Sequence, residues 1–200
     1  MFLEQGSHVL NVGSGGDIQK MVDDVAVKRG VTVISTDIDP ARAPDVVDDI
    51  TRSSFPDETF DAVIIMEVLE HVPEPHRATL EIHRLLKPGG RLIASTPFLF
   101  PIHDRPHDYF RYTKYGLSYL FRDFDNLKVR ERNSWAEAVL VLIARLPMER
   151  GRAFRVATPV FVLAAYAFFP LAILAAAILP SDFLTTGYVV SGLKRRAITD

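Results

Sequence analysis

A mostly parallel α/β sheet covered by helices is expected from three features of the chain. Short β-branched runs alternate with helix-period segments between residue 8 and about residue 97. Glycine clusters close one strand (Gly13 to Gly16) and open another (Gly89, Gly90). An acidic residue, Asp37, ends the second strand about twenty residues after the first cluster. Strand, helix, strand, helix at this spacing is the pattern of parallel strands joined by crossover helices.

The elements follow in order. Residues 8–12 (HVLNV) are a short apolar run entering Gly13-Ser14-Gly15-Gly16, a strand running into a glycine turn. Residues 17–29 put Ile18, Met21, Val22 and Val25 at helical spacing, and Val31–Thr36 is a β-branched strand. Asp61–Met66 (DAVIIM) is a further strand, followed by a helix from about Pro75 to Leu86. Pro88-Gly89-Gly90 stops that helix and Arg91–Ser95 starts the next strand. Residues 98–112 are rich in Phe, Tyr, His, Pro and Arg and have no period, so they read as a loop. A short helix is expected at 114–122, a strand at Leu127–Arg132, an apolar helix at 136–146 and a last strand at Gly187–Leu193.

Composition narrows the function. With 200 residues the chain is one domain of ordinary size. It has no cysteine, which excludes a disulfide scaffold, a thiolate metal site and a cysteine nucleophile. A net charge of −2 argues against nucleic acid as a partner. The charge is uneven, with 12 Lys+Arg against 18 Asp+Glu in residues 1–121 and 11 against 7 beyond. The start, MFLEQGSHVLNVG, lacks a basic segment and a long apolar one, so it does not read as a signal peptide and a cytoplasmic location is expected.

Glycines between a strand and a helix let a ligand approach the backbone, and the helix N-terminus offers free N–H groups. The dinucleotide fingerprint G-x-G-x-x-G is not met, because Ile18 stands at the third glycine position, which disfavours nicotinamide and flavin dinucleotides. Asp37 is placed to accept hydrogen bonds from both hydroxyls of a ribose, or to cap the turn before Pro40. Asp49 and Ile50 offer a carboxylate and an apolar face to an adenine.

The succession VLNVGSGG, STDID, DDITRSSFPDETFDAVIIMEVLEHV and LLKPGGRLIASTP resembles class I S-adenosylmethionine-dependent methyltransferases, over residues 8 to about 97. The resemblance implies a doubly wound, seven-stranded, Rossmann-like sheet that binds S-adenosyl-L-methionine. It puts Gly13, Ser14, Gly15 and Gly16 under the methionine part, Asp37 on the ribose, and Ile38, Asp49 and Ile50 around the adenine. Met66 and Glu67 would border the sulfonium, with His71 close by. Two departures stand out: Asn11 where an acidic residue is usual, able to bind through its amide oxygen, and Asp17 where a third glycine is usual. Asp17 would cap the helix but repel the cofactor carboxylate.

A methyl acceptor is expected at residues 101–113, which follow the fifth strand and so lie at the carboxyl edge. The pattern P-x-H-x-x-P-x-D-Y-x-R-x-T-x-x-G-L, from Pro101 to Leu117, is similar to a subset of these enzymes linked to sugars and glycan assembly. His103 or His107 would be the catalytic base, with Asp108, Tyr109, Arg111 and Tyr112 as acceptor contacts. No metal is assigned. His103, Asp104, His107 and Asp108 as metal ligands remain an alternative, as does a purely structural Asp108–Arg111 pair. His8, His76 and His83 read as a strand edge, a helix start and a helix surface. O-methylation of a small-molecule, sugar or lipid-linked acceptor is the expected reaction. C- or N-methylation of a quinone-like or amine acceptor, and a non-catalytic cofactor-binding scaffold, are the alternatives.

Val156–Pro180 is 25 residues without a charge, broken by Pro159, Pro170 and Pro180. Each half around Pro170 is too short to cross a bilayer of about 30 Å at about 1.5 Å per residue. The last strand must also return to the sheet, so a broken helical hairpin on a membrane surface is expected, or else a buried pair or a dimer interface. Arg145, Arg150, Arg152 and Arg155 before it and Lys194, Arg195 and Arg196 after it would meet anionic head groups. The expected organisation is a cofactor-binding core at 1–135, an apolar helical insertion at 136–183, and a last strand with basic tail at 184–200.

Overall fold

The computed structural model describes residues 4–145 and 152–196, without the side chains of 152–155. Seven strands form one sheet in the order β3-β2-β1-β4-β5-β7-β6. They are β1 His8–Val12, β2 Thr32–Asp37, β3 Val46–Val47, β4 Phe60–Met66, β5 Leu86–Pro97, β6 Phe124–Glu131 and β7 Gly187–Lys194. β1 pairs in parallel with β2 and β4, and β4 with β5, while β7 runs antiparallel between β5 and β6. The central strands are apolar because helices cover both faces of a parallel sheet. Leu10, Val63, Ile65, Leu92 and Val190 are buried in one core with Phe60, Ile82, Leu117 and Phe121.

Helices α1 Gly16–Arg29, α2 Pro75–Leu85 and α3 Lys114–Leu120 follow β1, β4 and the loop after β5. α1 ends at Gly30, whose left-handed φ of 62° lets its N–H reach back to the carbonyls of Ala26 and Val27. Proline at the first position of α2 needs no N–H there. Thr113 caps α3 by accepting from Gly116 N–H at 3.0 Å. Between β1 and β4 the chain order reverses, β2 and β3 lying to one side and β5 to the other. Above their carboxyl ends opens the crevice where such sheets bind ligands.

The apolar segment differs from expectation. α4 Trp135–Arg145 and α5 Arg152–Ile178 are the two arms of a helical hairpin, and α5 is one helix of 27 residues with Pro159 and Pro170 inside it. A proline removes one N–H and crowds one carbonyl, but the remaining hydrogen bonds carry the helix on. The helix therefore runs on through Pro170 rather than turning there. The base of the hairpin is fastened by Trp135, whose Nε1 donates to the Leu179 carbonyl at 2.8 Å and whose ring stacks on Phe183.

The basic run after the last strand also falls elsewhere than expected. Because β7 is antiparallel, Gly187 lies at the carboxyl edge opposite Pro97, and Lys194 lies at the other edge opposite Phe124. Lys194 donates to the Leu86 carbonyl, and Arg195 pairs with Asp125. Lys194 thus stands about 23 Å along β7 from Gly187, seven strand residues at about 3.3 Å each, and Lys194 to Arg196 do not flank the apolar segment. Arg150 lies outside the described residues.

Candidate active site

Strand β1 delivers the glycine turn to the crevice. Gly13 and Ser14 donate their N–H groups to the Thr36 carbonyl at 2.8 and 3.0 Å, which pins the turn to the end of β2. Gly13 (φ 88°) and Gly15 (φ 101°) have positive φ, and a Cβ on Gly13 would stand 2.3 Å from a Val68 methyl. The turn is thus tied to glycine twice over, by conformation and by contact with the loop after β4.

A cavity of about 1020 Å³ fills the crevice. Gly13, Ser14, Gly15, Asp37, Ile38, Asp49, Ile50, Met66, Glu67 and His71 line one side, and His103, His107 and Tyr109 line the other. Seven carboxylates border it (Asp37, Asp39, Asp48, Asp49, Glu67, Glu74, Asp104) against two arginines, Arg42 and Arg145, so it favours a cation. Burial raises the Asp49 carboxyl, but hydrogen bonds from Thr51 and the Arg52 charge outweigh it and leave Asp49 below the usual carboxylate range. Asp37 accepts from the Asp39 N–H at 2.9 Å, so its turn role and its place in the cavity coexist. Glu67, in the left-handed region at φ 54°, is held by Ser95 Oγ at 2.6 Å and by Arg132. Backbone strain of about 1–3 kcal/mol is typical of functional sites.

Not every expected residue lines the cavity. Asn11 is fully buried beneath the turn; its Nδ2 donates to Gln19 at 2.6 Å and its Oδ1 has no hydrogen-bond partner. Gly16 and Asp17 are exposed, and α1 has no side-chain cap, so Asp17 contributes through the helix dipole rather than as a cap. Asp108 and Arg111 pair bidentately, and Asp108 accepts from the His103 N–H at 2.9 Å. Hydrogen bonding by Arg111 pulls the Asp108 carboxyl down to about 2. Tyr112 donates to the Leu69 carbonyl at 3.0 Å, and burial pushes its hydroxyl up. These three brace the 98–113 loop instead of facing the cavity, because each side chain is already spent on the loop or on the turn after β4. On the cavity wall, His107 Nδ1 lies 2.8 Å from the Tyr109 hydroxyl. His83 packs edge-on to Phe124 rather than standing free on its helix.

Two participants escape the sequence reading. Arg145 reaches the cavity from the end of α4 and lies over the Phe100 ring at 4.4 Å. Glu70 sits in the short helical turn Leu69–His71 after β4, fully buried between two cavity residues. Burial raises its carboxyl to about 8. The signal that could have found it is a carboxylate next to His71 and flanked by Val68, Leu69 and Val72.

A methyltransferase-domain family model matches residues 10–94. A ubiquinone biosynthesis O-methyltransferase of Coxiella burnetii is 30% identical over 153 residues, 67% of this chain and 63% of that protein. One of Pseudomonas paraeruginosa is 36% identical over 108 residues, 46% of this chain and 44% of the relative. The chain thus spans less than two thirds of the length of these relatives. Among solved structures, the [4+2]-cyclase SpnF superposes with a TM-score of 0.65 at 20% identity, covering 98% of this chain and 77% of that one. A SAM-dependent methyltransferase from Archaeoglobus fulgidus gives 0.63 at 15%, covering 94% and 86%. By the family model and these relatives the chain is similar to S-adenosylmethionine-dependent methyltransferases, and the fold is theirs.

Proposed function

We propose that the chain binds S-adenosyl-L-methionine in the acidic cavity and moves its methyl group to an oxygen of a small-molecule, sugar or lipid-linked acceptor. The observation that carries this reading is the meeting of the glycine turn, Asp37, Asp49 and Met66 in one cavity rich in carboxylates. The residues fit the cofactor. Gly15 lines the cavity with only Arg42 near it among the described residues, at 3.7 Å from a would-be Cβ, the Asn11 Oδ1 beneath the turn lacks a donor, and the surrounding carboxylates suit a ligand with an ammonium and a sulfonium. When bound, the cofactor supplies an electrophilic methyl carbon on positive sulfur.

The protein's own part is to hold and align. Asp37 takes the ribose hydroxyls, Ile38 and Ile50 enclose the adenine, and Met66, Glu67 and His71 border the sulfonium. The acceptor enters from the His103–Tyr109 side. Its oxygen forms the new C–O bond as the C–S bond breaks, and its proton passes to His107, supported by the Tyr109 hydroxyl. His103 is the less free of the two expected bases, because its ring turns toward buried Glu70. The name of the Coxiella and Pseudomonas relatives favours oxygen over nitrogen as the methylated atom.

The hairpin bears on the acceptor. Val156–Ile178 is long and apolar enough to cross a membrane and is only 11% buried, unlike the core helix of a soluble protein. Arg145 is at the cavity and α5 begins seven residues later, at most about 25 Å of extended chain away. The far end of α5 returns to the sheet through β7. With both ends tied to the domain, α5 lies on the cytoplasmic face of a membrane rather than through it, and offers the cavity mouth to a lipid-linked acceptor.

Transfer of labelled methyl from the cofactor into a lysate fractionated into lipids, glycans and proteins tests the reading. Label in the lipid or glycan fraction is expected. Binding of S-adenosylhomocysteine without label in any fraction would favour the non-catalytic scaffold.

A further inference from the structure

A buried carboxyl and two imidazoles converge behind the acceptor wall. Glu70 is 0% exposed, and neither of its carboxylate oxygens has a hydrogen-bond partner. The Nε2 atoms of His71 and His103 each stand 3.7 Å from Glu70 Oε1, beyond hydrogen-bond reach. One ligand atom from each of the three groups lies within 4.8 Å of the others.

The far side of each ring explains this orientation. His71 Nδ1 is 2.7 Å from the His107 carbonyl, and His103 Nδ1 is 3.4 Å from the Pro101 carbonyl and from Asp108. Carbonyl and carboxylate oxygens only accept, so each Nδ1 carries the hydrogen and each Nε2 presents a lone pair to Glu70. Three lone-pair donors thus face a common point. Rings held from behind by a carbonyl or carboxylate are how proteins orient histidines that bind metal ions.

We propose that Glu70, His71 and His103 hold one divalent metal ion, with its open side toward the cavity. Two imidazoles and a carboxylate suit Mn²⁺, Fe²⁺, Co²⁺ or Zn²⁺ better than Mg²⁺ or Ca²⁺, which prefer oxygen throughout. Around a tetrahedral ion with bonds of about 2.1 Å, ligand atoms stand about 3.4 Å apart; the two Glu70–histidine spacings of 3.7 Å are close to this, and the cluster, within 4.8 Å overall, would draw in around the ion. Asp104, whose carboxylate is 3.9 Å from His71 Nε2 on the solvent side, is within reach as a fourth ligand. Resting on the methyl-transfer reading, the ion deepens it. Such an ion would lower the pKa of an acceptor hydroxyl bound in its open position, so that the hydroxyl proton passes more readily to His107 and the oxygen meets the methyl group as an oxyanion. The acceptor is then a hydroxyl compound able to bind a metal, and an amine is disfavoured.

The test uses the full chain, stripped with a chelator and titrated with Mn²⁺, Co²⁺ and Zn²⁺ by calorimetry, Co²⁺ also by visible absorption. One ion per chain and new Co²⁺ bands are expected. Loss of an outer partner of a metal site typically costs about 10–100-fold in affinity, so loss of a direct ligand in Glu70→Gln should cost about 100-fold or more. His103→Ala, on a loop, tests the same point should the first variant fail to fold. No ion bound, or equal affinity in the parent and both variants, would overturn the site. S-adenosylhomocysteine titrated into the same samples separates the two claims. Ion without nucleoside binding sinks methyl transfer and leaves the metal; nucleoside without ion binding sinks the metal alone.

Discussion

The two walls of the cavity are built by different means. The wall proposed for the cofactor comes from the carboxyl ends of β1, β2 and β4, adjacent parallel strands whose hydrogen-bonded register fixes Gly13, Asp37 and Met66 relative to one another. The wall proposed for the acceptor comes from the 98–113 loop and the end of α4, held by side-chain bonds from Asp108, Arg111 and Tyr112 and by Arg145 over Phe100. A register tolerates little change without losing the site. A loop held by side chains can be altered piece by piece, which suits the wall that must match the acceptor.

The sharpest way to break this contrast is Gly13→Val. A side chain at φ 88° and 2.3 Å from Val68 forces the turn apart, so S-adenosylhomocysteine binding disappears and stability falls by about 2–4 kcal/mol in urea unfolding. Asp37→Ala is milder. The fold stays, and calorimetry should show S-adenosylhomocysteine bound about 10–100-fold more weakly, the worth of charge-assisted hydrogen bonds.

Asp108→Asn strikes the other wall and should leave nucleoside affinity alone. Its carboxyl lies near 2 when folded, against about 3.9 when unfolded, so the stability it gives is present above pH 4 and lost as pH falls toward 2. The loss at pH 7 is about 2 kcal/mol, and unfolding curves of parent and variant should converge as the medium is acidified from pH 4. Least visible in solution are Leu163→Ser, Leu171→Ser and Leu174→Ser together, all exposed on α5. They should leave folding and nucleoside affinity unchanged while abolishing flotation with liposomes; equal flotation would detach the hairpin from the membrane.

Sequence reading reached the two walls unequally for the same physical reason. The glycine turn, Asp37 and Met66 are tied to local strand-turn-helix geometry, which shows in spacing along the chain. The pairing of Asp108 with Arg111 was visible as a three-residue interval, but its grip on His103 N–H depends on how the loop folds back. Nothing in the spacing marks Glu70 as a site residue, and only packing brings His71 and His103 to it. Pro170 read as a break, whereas α5 absorbs it, since one missing N–H does not end a helix of 27 residues.

The most direct trial of the central claim is a calorimetric titration of the full chain with S-adenosylhomocysteine beside Gly13→Val and Asp37→Ala. One molecule bound per chain, lost in the first variant and weakened in the second, is the predicted result. No binding to the parent chain, or the same affinity in all three proteins, would contradict it.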